Sequence, residues 1–273
     1  MEPRVNKTTD KIIEVSGLSV SLGGKPVLRD VSFSANSGEL LCIVGRNGTG
    51  KSTLFKCLCG IHKNFSGSVK LAGRGLDTFG ARERARIVAY VPQNMPPDIP
   101  YTVREFIEMS RYPWEGVYPT SARAVSEAVS LVGLEDFTAC GMRDLSGGER
   151  QRVMIASAIA QEADAILMDE PTSFLDYAHQ IETIELIRRI RTEKTTAMLI
   201  VTHDVNFAVN VSDRVLALSE GAVKWAGPPG ELRDPALLRS IFGVPFELFF
   251  PGFPGFSKWD GKPLLVPTAA INK

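Results

Sequence analysis

A glycine-rich segment near the start of the chain has the residue types and spacing of a phosphate-binding loop. It matches the pattern G-x-x-x-x-G-K-[S/T], in which glycines let backbone N–H groups close around phosphate oxygens. The segment follows an apolar run at residues 40–44 and precedes a predicted helix, whose N-terminus favours an anion. The lysine can bridge the β- and γ-phosphates, and the serine hydroxyl can bind Mg²⁺. The loop comprises Gly45, Arg46, Asn47, Gly48, Thr49, Gly50, Lys51, Ser52 and Thr53.

Two adjacent carboxylates, Asp169 and Glu170, follow a second apolar run at residues 165–168. Carboxylates at the C-terminal end of a parallel strand face the edge where such sheets bind ligands. Asp169 suits the coordination of Mg²⁺, usually through a water molecule, and Glu170 suits a general base that orients the attacking water. Loop and carboxylates together predict hydrolysis of a nucleoside triphosphate.

A third motif, at residues 145–152, begins a predicted helix with Ser146, Gly147 and Gly148. Exposed N–H groups at such a helix start form an anion site. Since the loop around Lys51 already holds the γ-phosphate of its own nucleotide, a second phosphate-binding helix start indicates contact with the nucleotide of another subunit. The sequence therefore predicts a site shared between two chains.

With these motifs in this order, the sequence closely resembles the ATP-binding-cassette (ABC) ATPases along about its whole length. Gln93, residues 173–176 and His203 complete the resemblance. It implies that the cofactors are ATP and Mg²⁺, that Gln93 contacts Mg²⁺ or the attacking water, and that His203 contacts the γ-phosphate. Asp176 resembles the residue that couples the two sites across the dimer.

The same resemblance implies a dimer of ATPases, with a second copy of this chain as the expected partner. Two ATP molecules would bind head to tail, each between Lys51 of one copy and Ser146 of the other. ATP binding would close the dimer and hydrolysis would open it.

The chain departs from the family pattern at two positions. Leu22 stands where family members often carry an aromatic residue that stacks on adenine. Aromatic stacking contributes about 1–3 kcal/mol per base, so a leucine here predicts weak base discrimination. Phe174 is bulkier than the residue common in that loop, and the sequence gives no functional account of it.

Finer similarity points to the ATPases of importers for iron-siderophores, haem or cobalamin. This resemblance implies separate permease subunits and an extracytoplasmic substrate-binding protein. An importer for another small solute and a soluble ABC ATPase without a transport role are the alternatives. The similarity lies in residues 87–93, 109–114, 171–180 and 261–267.

The stretch at residues 94–114, from Asn94 at its start to Trp114 at its end, lies where a permease helix docks in the family. Aromatic side chains and arginine are typical of the core of a protein interface. The sequence therefore predicts a docking surface here. Packing of these side chains within the chain is the alternative interpretation.

The elements that must position these residues follow from short apolar runs separated by glycines, which predict strands. Strands alternating with helices predict an α/β fold with a parallel sheet buried on both faces. Thr102 and Glu105 predict a capping box, and a later helix over residues 122–132 ends at Gly133. Strands are predicted at residues 12–20, 27–34, 40–44, 67–71, 87–91, 165–168 and 197–201, and a helix at residues 51–59.

The resemblance specifies a P-loop NTPase (RecA-like) core with an N-terminal antiparallel β subdomain and an inserted helical subdomain. The phenylalanine-rich C-terminal tail predicts either a small unit that packs its own aromatics or a surface for a partner. We expect the β subdomain and the first part of the core at residues 1–93, the helical subdomain at 94–160, the second part of the core at 161–230, and a C-terminal appendage at 231–273.

Composition restricts partners and location. The 273 residues include 31 Lys+Arg and 31 Asp+Glu, and this balance argues against broad binding to nucleic acid or anionic lipid. The longest uncharged stretch, residues 87–97, is shorter than the roughly 18 residues of a membrane-spanning helix, and the N-terminus lacks the apolar core of a signal peptide. We therefore expect the chain at the cytoplasmic face of the inner membrane, held by its permease.

Overall fold

The computed structural model describes residues 11–96, 98–116, 121–249 and 264–268, which form an α/β fold. The strands, in chain order, are β1 (Lys11–Leu22), β2 (Lys25–Asn36), β3 (Leu40–Val44), β4 (Ser66–Leu71), β5 (Arg74–Gly75), β6 (Val88–Val91), β7 (Ala165–Asp169), β8 (Ala197–Thr202), β9 (Arg214–Ser219), β10 (Ala222–Gly227), β11 (Phe246–Phe249) and β12 (Leu264–Pro267). The helices are α1 (Lys51–Leu58), α2 (Ala81–Ile87), α3 (Val103–Met109), α4 (Ser121–Val132), α5 (Gly147–Ala160), α6 (Tyr177–Glu193), α7 (Val205–Val211) and α8 (Pro235–Phe242).

The central sheet has the strand order β10-β9-β3-β8-β7-β6, in which all neighbours are parallel except the antiparallel pair β9 and β10. Side chains along β3 alternate between two apolar clusters: Leu40 and Cys42 join one, and Leu41 and Ile43 join the other. Both faces of the sheet are therefore covered, as expected for parallel strands. The prediction of an α/β fold with a buried parallel sheet is confirmed.

An antiparallel sheet of order β2-β1-β4-β5 covers one face, together with α1. Ile13 and Leu18 of β1 pack in the same cluster as Phe55 of α1. The N–H of Arg29 donates a hydrogen bond of 2.8 Å to the carbonyl of Gly221, which joins β2 to the turn between β9 and β10. The predicted N-terminal antiparallel sheet is therefore present, and it holds the beginning of α1 against the core.

Helices α3, α4 and α5 follow β6 and pack against each other. Their apolar side chains join the cluster on the face of the central sheet opposite to the antiparallel sheet. The capping box predicted for α3 is confirmed: Glu105 Oε2 accepts the N–H of Thr102 at 2.8 Å, and Thr102 Oγ1 accepts the N–H of Glu105 at 3.3 Å. Helix α4 ends at Val132, before Gly133, as predicted. The division of the whole chain into four segments remains a prediction.

The structure differs from the sequence prediction around Ile87, which ends α2 instead of opening β6. Helix α2 is short and mostly charged, so it carries no apolar repeat by which the sequence could reveal it. In the described part of the chain, no helix combines the length and apolarity needed to span a membrane.

The C-terminal appendage packs some of its aromatics and exposes others. The ring of Phe246 lies 5.6 Å from that of Phe242, whereas Phe249 is 52% exposed. Asn206 of α7 holds β12 through two hydrogen bonds to the backbone of Leu265, at 2.8 and 3.0 Å. Pro97, the first ten residues and residues 250–263, with the remaining phenylalanines of the tail, lie outside the described residues.

Candidate active site

The phosphate-binding loop connects β3 to α1, as predicted, and the beginning of α1 lines a cleft. Gly50 is the N-cap of α1, with φ of +95° and no side chain to cap the helix. A Cβ at this position would lie 2.6 Å from Leu28 Cδ2 and 2.9 Å from the carbonyl oxygen of Val27. Glycine is therefore required for β2 to approach, and the helix start keeps N–H groups available to an anion.

Lys51, the first residue of α1, is buried: only 6% of its side chain is exposed. Its Nζ donates hydrogen bonds to the carbonyls of Gly45, at 2.8 Å, and Arg46, at 3.1 Å, and lies 3.9 Å from Glu170 Oε1. Burial lowers the pKa of Lys51, while the charges of Glu170 and Asp169 raise it. A cation is thus fixed at the loop, where the motif requires one for phosphate.

Asp169 ends β7, and its carboxylate accepts one hydrogen bond on each oxygen. Oδ1 accepts from Ser52 Oγ at 3.1 Å, and Oδ2 accepts from the hydroxyl of Tyr90 at 3.2 Å. Burial, followed by the charge of Asp169, raises the pKa of Tyr90, so the phenol remains a donor at neutral pH. The structure therefore brings together Ser52 and Asp169, the pair predicted to hold Mg²⁺.

Glu170 follows β7 directly, with only 7% of its side chain exposed and with φ of +51°. This left-handed conformation is uncommon for a residue other than glycine and is typical of functional positions. Its Oε2 accepts from Ser173 Oγ at 3.1 Å and lies 2.8 Å from Nδ1 of His203, which follows β8. Neighbouring strands therefore deliver Glu170 and His203 to one point, while Oε1 faces Lys51.

The cleft has a volume of about 420 Å³ and contains most of the residues predicted to bind nucleotide. Gln93, just beyond β6, reaches the same cleft as Glu170. Leu22 lies at the end of β1, is 43% exposed, and is not among the described residues that line the cleft, so its contact with adenine remains a prediction. The lining residues are Val27, Asn47, Gly48, Gly50, Lys51, Ser52, Thr53, Gln93 and Glu170.

The third motif begins α5, with Ser146 as the N-cap residue. Ser146 Oγ accepts the N–H of Glu149 at 3.3 Å, and Glu149 Oε2 accepts the N–H of Ser146 at 2.7 Å, which closes a capping box. Hydrogen bonds from Ser146 hold the pKa of the Glu149 carboxyl below its ordinary value. Ser146, Gly147 and Gly148 are not among the described residues that line the cleft with Lys51.

His179 joins the third motif to the N-cap of α6, Asp176. Its Nδ1 lies 2.8 Å from Asp176 Oδ1, and the same oxygen accepts the N–H of His179 at 2.9 Å. The ring packs against Gly148 so closely that a Cβ there would lie 2.1 Å from His179 Cδ2. Two regions predicted to contact a second subunit therefore form one connected surface.

The predicted docking stretch, residues 94–114, is fastened at its end to the C-terminus of α5. Arg111, only 4% exposed, donates to the carbonyl of Ala160 at 2.6 Å and pairs with Glu162 at 2.8 Å. Trp114 Nε1 donates to the carbonyl of Gln161 at 2.6 Å. For Arg111 and Trp114 the packing interpretation is therefore correct, and the large hydrophobic side chains exposed in the described part of the stretch are Tyr101, Met109 and Tyr112.

Four residues of the site were not among those predicted from the sequence: Val27, Tyr90, Ser173 and His179. Val27 lines the cleft because β2 lies against the loop. The others contact predicted site residues through side-chain hydrogen bonds. Ser173 belongs to the segment that contributed to the family resemblance, but its bond to Glu170 follows from the turn after β7 and not from a residue pattern.

Comparison with known proteins agrees with this geometry. The family described as ABC transporter matches residues 28–173. The chain is 39% identical over 239 residues to a hemin import ATP-binding protein of Rhodococcus jostii, covering 86% of this chain and 81% of the relative. It is 34% identical over 226 residues to a petrobactin import ATP-binding protein of Bacillus anthracis, covering 81% and 83%.

Among solved structures, an inward-facing metal-chelate type ABC transporter matches with a TM-score of 0.80 and 26% identity, covering 96% of this chain and 98% of that one. Its fold and the identities above confirm the resemblance drawn from the motifs. The matched residues include the loop after β3 and the carboxylates after β7, and the chain belongs to the ABC transporter family.

Proposed function

We propose that the chain is the ATP-hydrolysing subunit of an ABC importer that takes up a metal chelate, such as an iron-siderophore, haem or cobalamin, through separate permease subunits. The observation that carries the hydrolytic role is the setting of Glu170, between His203 at 2.8 Å and Lys51 at 3.9 Å in the nucleotide cleft. The import role and the class of cargo are supported by the names of the relatives.

Within one copy, Lys51 and the loop N–H groups bind the β- and γ-phosphates. The water oxygen attacks the γ-phosphorus, the bond to the bridging oxygen of ADP breaks, and the water proton passes to Glu170 Oε1, the oxygen on the side of Lys51. His203 and Ser173 hold Oε2 and so fix the orientation of this base. Gln93, which also lines the cleft, orients the water.

The donor set at Ser52 and Asp169 fits Mg²⁺. Both side chains supply oxygen atoms, which Mg²⁺ prefers, and Ser52 Oγ and Asp169 Oδ1 are 3.1 Å apart. Gln93 supplies a further amide oxygen at the same cleft. When bound there, Mg²⁺ neutralises charge on the phosphate oxygens.

Two copies are proposed to enclose two ATP molecules. Ser146, Gly147 and Gly148 of one copy would contact the γ-phosphate held by Lys51 of the other, with Asp176 beside them. Support comes from the exposure of Ser146 and Gly147 at the start of α5. Gly148 is buried there against the ring of His179, which links this helix start to Asp176. We assign this contact to a second copy because none of Ser146, Gly147 and Gly148 is among the described residues that line the cleft of their own chain.

The proposed permease contact consists of Tyr101, Met109 and Tyr112, the exposed apolar part of residues 94–114. Arg111 and Trp114 hold this stretch to α5, so force on the exposed part reaches the helix whose start would contact ATP. We propose that this contact holds the chain at the cytoplasmic face of the inner membrane. An extracytoplasmic substrate-binding protein would complete the system.

Replacing Glu170 with glutamine tests the hydrolytic role. Glu170→Gln keeps the shape of the side chain but cannot accept the proton, so we expect hydrolysis to fall about 10²–10⁴-fold while ATP binding and ATP-driven dimerisation persist. Phosphate release, nucleotide binding and size-exclusion chromatography measure the three properties. Glu220→Gln is the matched control, because Glu220 has the same left-handed backbone, with φ of +51°, but is exposed in a turn.

Wild-type turnover in Glu170→Gln would exclude Glu170 as the base. Cargo is tested separately, by uptake of labelled hemin, ferric siderophore and cobalamin into cells that lack this chain. We expect the wild-type chain to restore uptake of one of them and Glu170→Gln to fail. Restoration of none would contradict the proposed class of cargo.

A further inference from the structure

The hydroxyl of Tyr90 contacts Asp169, the carboxylate proposed above to hold Mg²⁺. Asp169 Oδ1 accepts from Ser52 at 3.1 Å, whereas Oδ2 accepts from Tyr90 Oη at 3.2 Å. We propose that Tyr90 is a positioning residue that holds Asp169 in the orientation required to bind Mg²⁺ together with ATP. This inference rests on the proposed Mg²⁺ site.

The need for such a residue follows from the side chain of Asp169. Rotation about the terminal bond of an aspartate is broad, so packing alone fixes the plane of the carboxylate poorly. Asp169 is 3% exposed, and water therefore cannot satisfy both of its oxygens. Two donors on different oxygens, Ser52 and Tyr90, define the plane and direct Oδ1 toward the serine predicted to bind the metal.

Tyr90 is itself held in place from two directions. Its backbone pairs with Leu167 in the parallel register of β6 and β7, the strand that ends at Asp169. Its ring meets the ring of Phe55 of α1 edge to face, with centroids 6.4 Å apart and planes at 86°. The hydroxyl is thus directed by the strand that carries the carboxylate and by the helix that carries Ser52.

The same strand leads to Gln93, three residues beyond Tyr90 and part of the cleft lining. A shift of β6 would therefore move the support of Asp169 and the amide of Gln93 together. This connection distinguishes Tyr90 from a tyrosine that merely fills space beside α1.

The test is Tyr90→Phe in the Glu170→Gln background, where hydrolysis does not interfere. Binding of a fluorescent ATP analogue is titrated with Mg²⁺ and is also measured in EDTA. Loss of a partner behind a metal ligand commonly weakens metal binding by about 10–100-fold. We expect the Mg²⁺ concentration that gives half of the maximal increase in binding of the ATP analogue to rise about tenfold or more. Binding of the analogue in EDTA should stay unchanged, because Lys51 and the loop remain intact.

Two further variants control for the fold. Tyr90→Ala removes the ring as well and should also lower the melting temperature, whereas Tyr90→Phe retains the contact with Phe55. Thr78→Val removes a hydroxyl whose hydrogen bond, to Gly75 at 2.7 Å, is distant in the fold from the cleft residues, and should match the parent in every assay.

An unchanged Mg²⁺ titration in Tyr90→Phe would overturn the inference, as would an equal loss of binding in EDTA, which would make the role structural. If the parent itself shows no effect of Mg²⁺ on nucleotide binding, the proposed Mg²⁺ site fails instead. The two failures are thus distinguishable.

Discussion

Helices α1 and α5 are both proposed to face a γ-phosphate with their N-termini, but they begin in opposite ways. Helix α1 starts at Gly50, which has no side chain to cap it, and continues with the buried Lys51. Helix α5 starts at Ser146 inside a capping box closed by Glu149. The start of α1 therefore has no side-chain cap and carries a positive charge. The start of α5 has its N–H groups capped by side chains and carries a negative charge.

This difference assigns different tasks to the two ends. The N–H groups and ammonium of α1 are fixed before nucleotide arrives, and fixed donors in a buried site stabilise phosphate charge strongly. At α5 the carboxylate of Glu149 already occupies the favourable field of the helix N-terminus, so a phosphate gains less there. The chain should therefore bind ATP at α1 first and engage α5 only in a dimer.

Among changes at the two helix starts, the largest effect is expected from removing the cation of the α1 site. Lys51→Ala deletes the buried ammonium and leaves Glu170 without its partner at 3.9 Å, so we expect hydrolysis to fall by about 10²–10³-fold or more. Steady-state phosphate release measures this loss. Lys56→Ala removes an exposed lysine from the same helix and should be neutral. Comparable ATP hydrolysis by Lys51→Ala and Lys56→Ala would contradict the proposal that the start of α1 supplies the essential cation.

A change at Gly148 tests whether the start of α5 is fixed by its contact with α6. In Gly148→Ala the new Cβ would lie 2.1 Å from His179 Cδ2, and the ring is held by Asp176, so we expect the free energy of unfolding to fall by about 1–3 kcal/mol. Urea denaturation measures the change. In the matched variant Gly147→Ala, the Cβ meets no atom within 4 Å, and stability should be retained.

Removing the obstructing ring checks the cause. If the clash is responsible, His179→Ala should lower the free energy of unfolding less in the Gly148→Ala protein than in the wild-type protein. The reason is that the added Cβ has room once the ring is gone. Additive losses in the double variant would show that Gly148 is required for another reason. ATP-driven dimerisation of the same set shows whether the surface formed by Gly148, His179 and Asp176 acts between two copies.

Much of the α1 site was predictable from sequence, because its chemistry is local. The predicted loop runs over nine residues, from Gly45 to Thr53; an apolar strand ends directly before it, and a helix begins within it at Lys51. The positions of Asp169 and Glu170 followed from another rule, that parallel strands end at one edge of the sheet. The fold class was predictable for the same reason, since apolar runs mark the strands.

What remained unpredictable depends on register and packing between distant segments. Tyr90 reaches Asp169 across 79 positions of sequence, and Trp114 reaches the carbonyl of Gln161 across 47. No local pattern distinguishes a tyrosine that supports a carboxylate from one that packs, or an exposed tryptophan from an anchored one. The helical character of α2 was hidden because its residues are mostly charged.

Glu149, in the capping box that begins α5, offers the finest test of the comparison between the two helix starts. Glu149→Gln keeps an oxygen that can accept the N–H of Ser146, so the capping box persists, but it removes the negative charge. A charge at a helix terminus is worth about 0.3–1 kcal/mol, so the ATP concentration for half-maximal dimerisation in the Glu170→Gln background should fall about two- to fivefold. Light scattering during an ATP titration measures it.

The control is Glu83→Gln, because Glu83 accepts the N–H of Gly80 at 3.0 Å in the same way at the start of α2, which has no proposed contact with ATP. Acidity supplies a second check. Because hydrogen bonds from Ser146 lower the pKa of Glu149, its charge is present above that pKa and is lost as pH falls through it. The parent should therefore approach the Glu149→Gln variant in acid. If the parent and Glu149→Gln need the same ATP concentration for half-maximal dimerisation at neutral pH, the carboxylate of Glu149 does not weaken ATP binding at the start of α5. The two helix starts would then differ in shape alone.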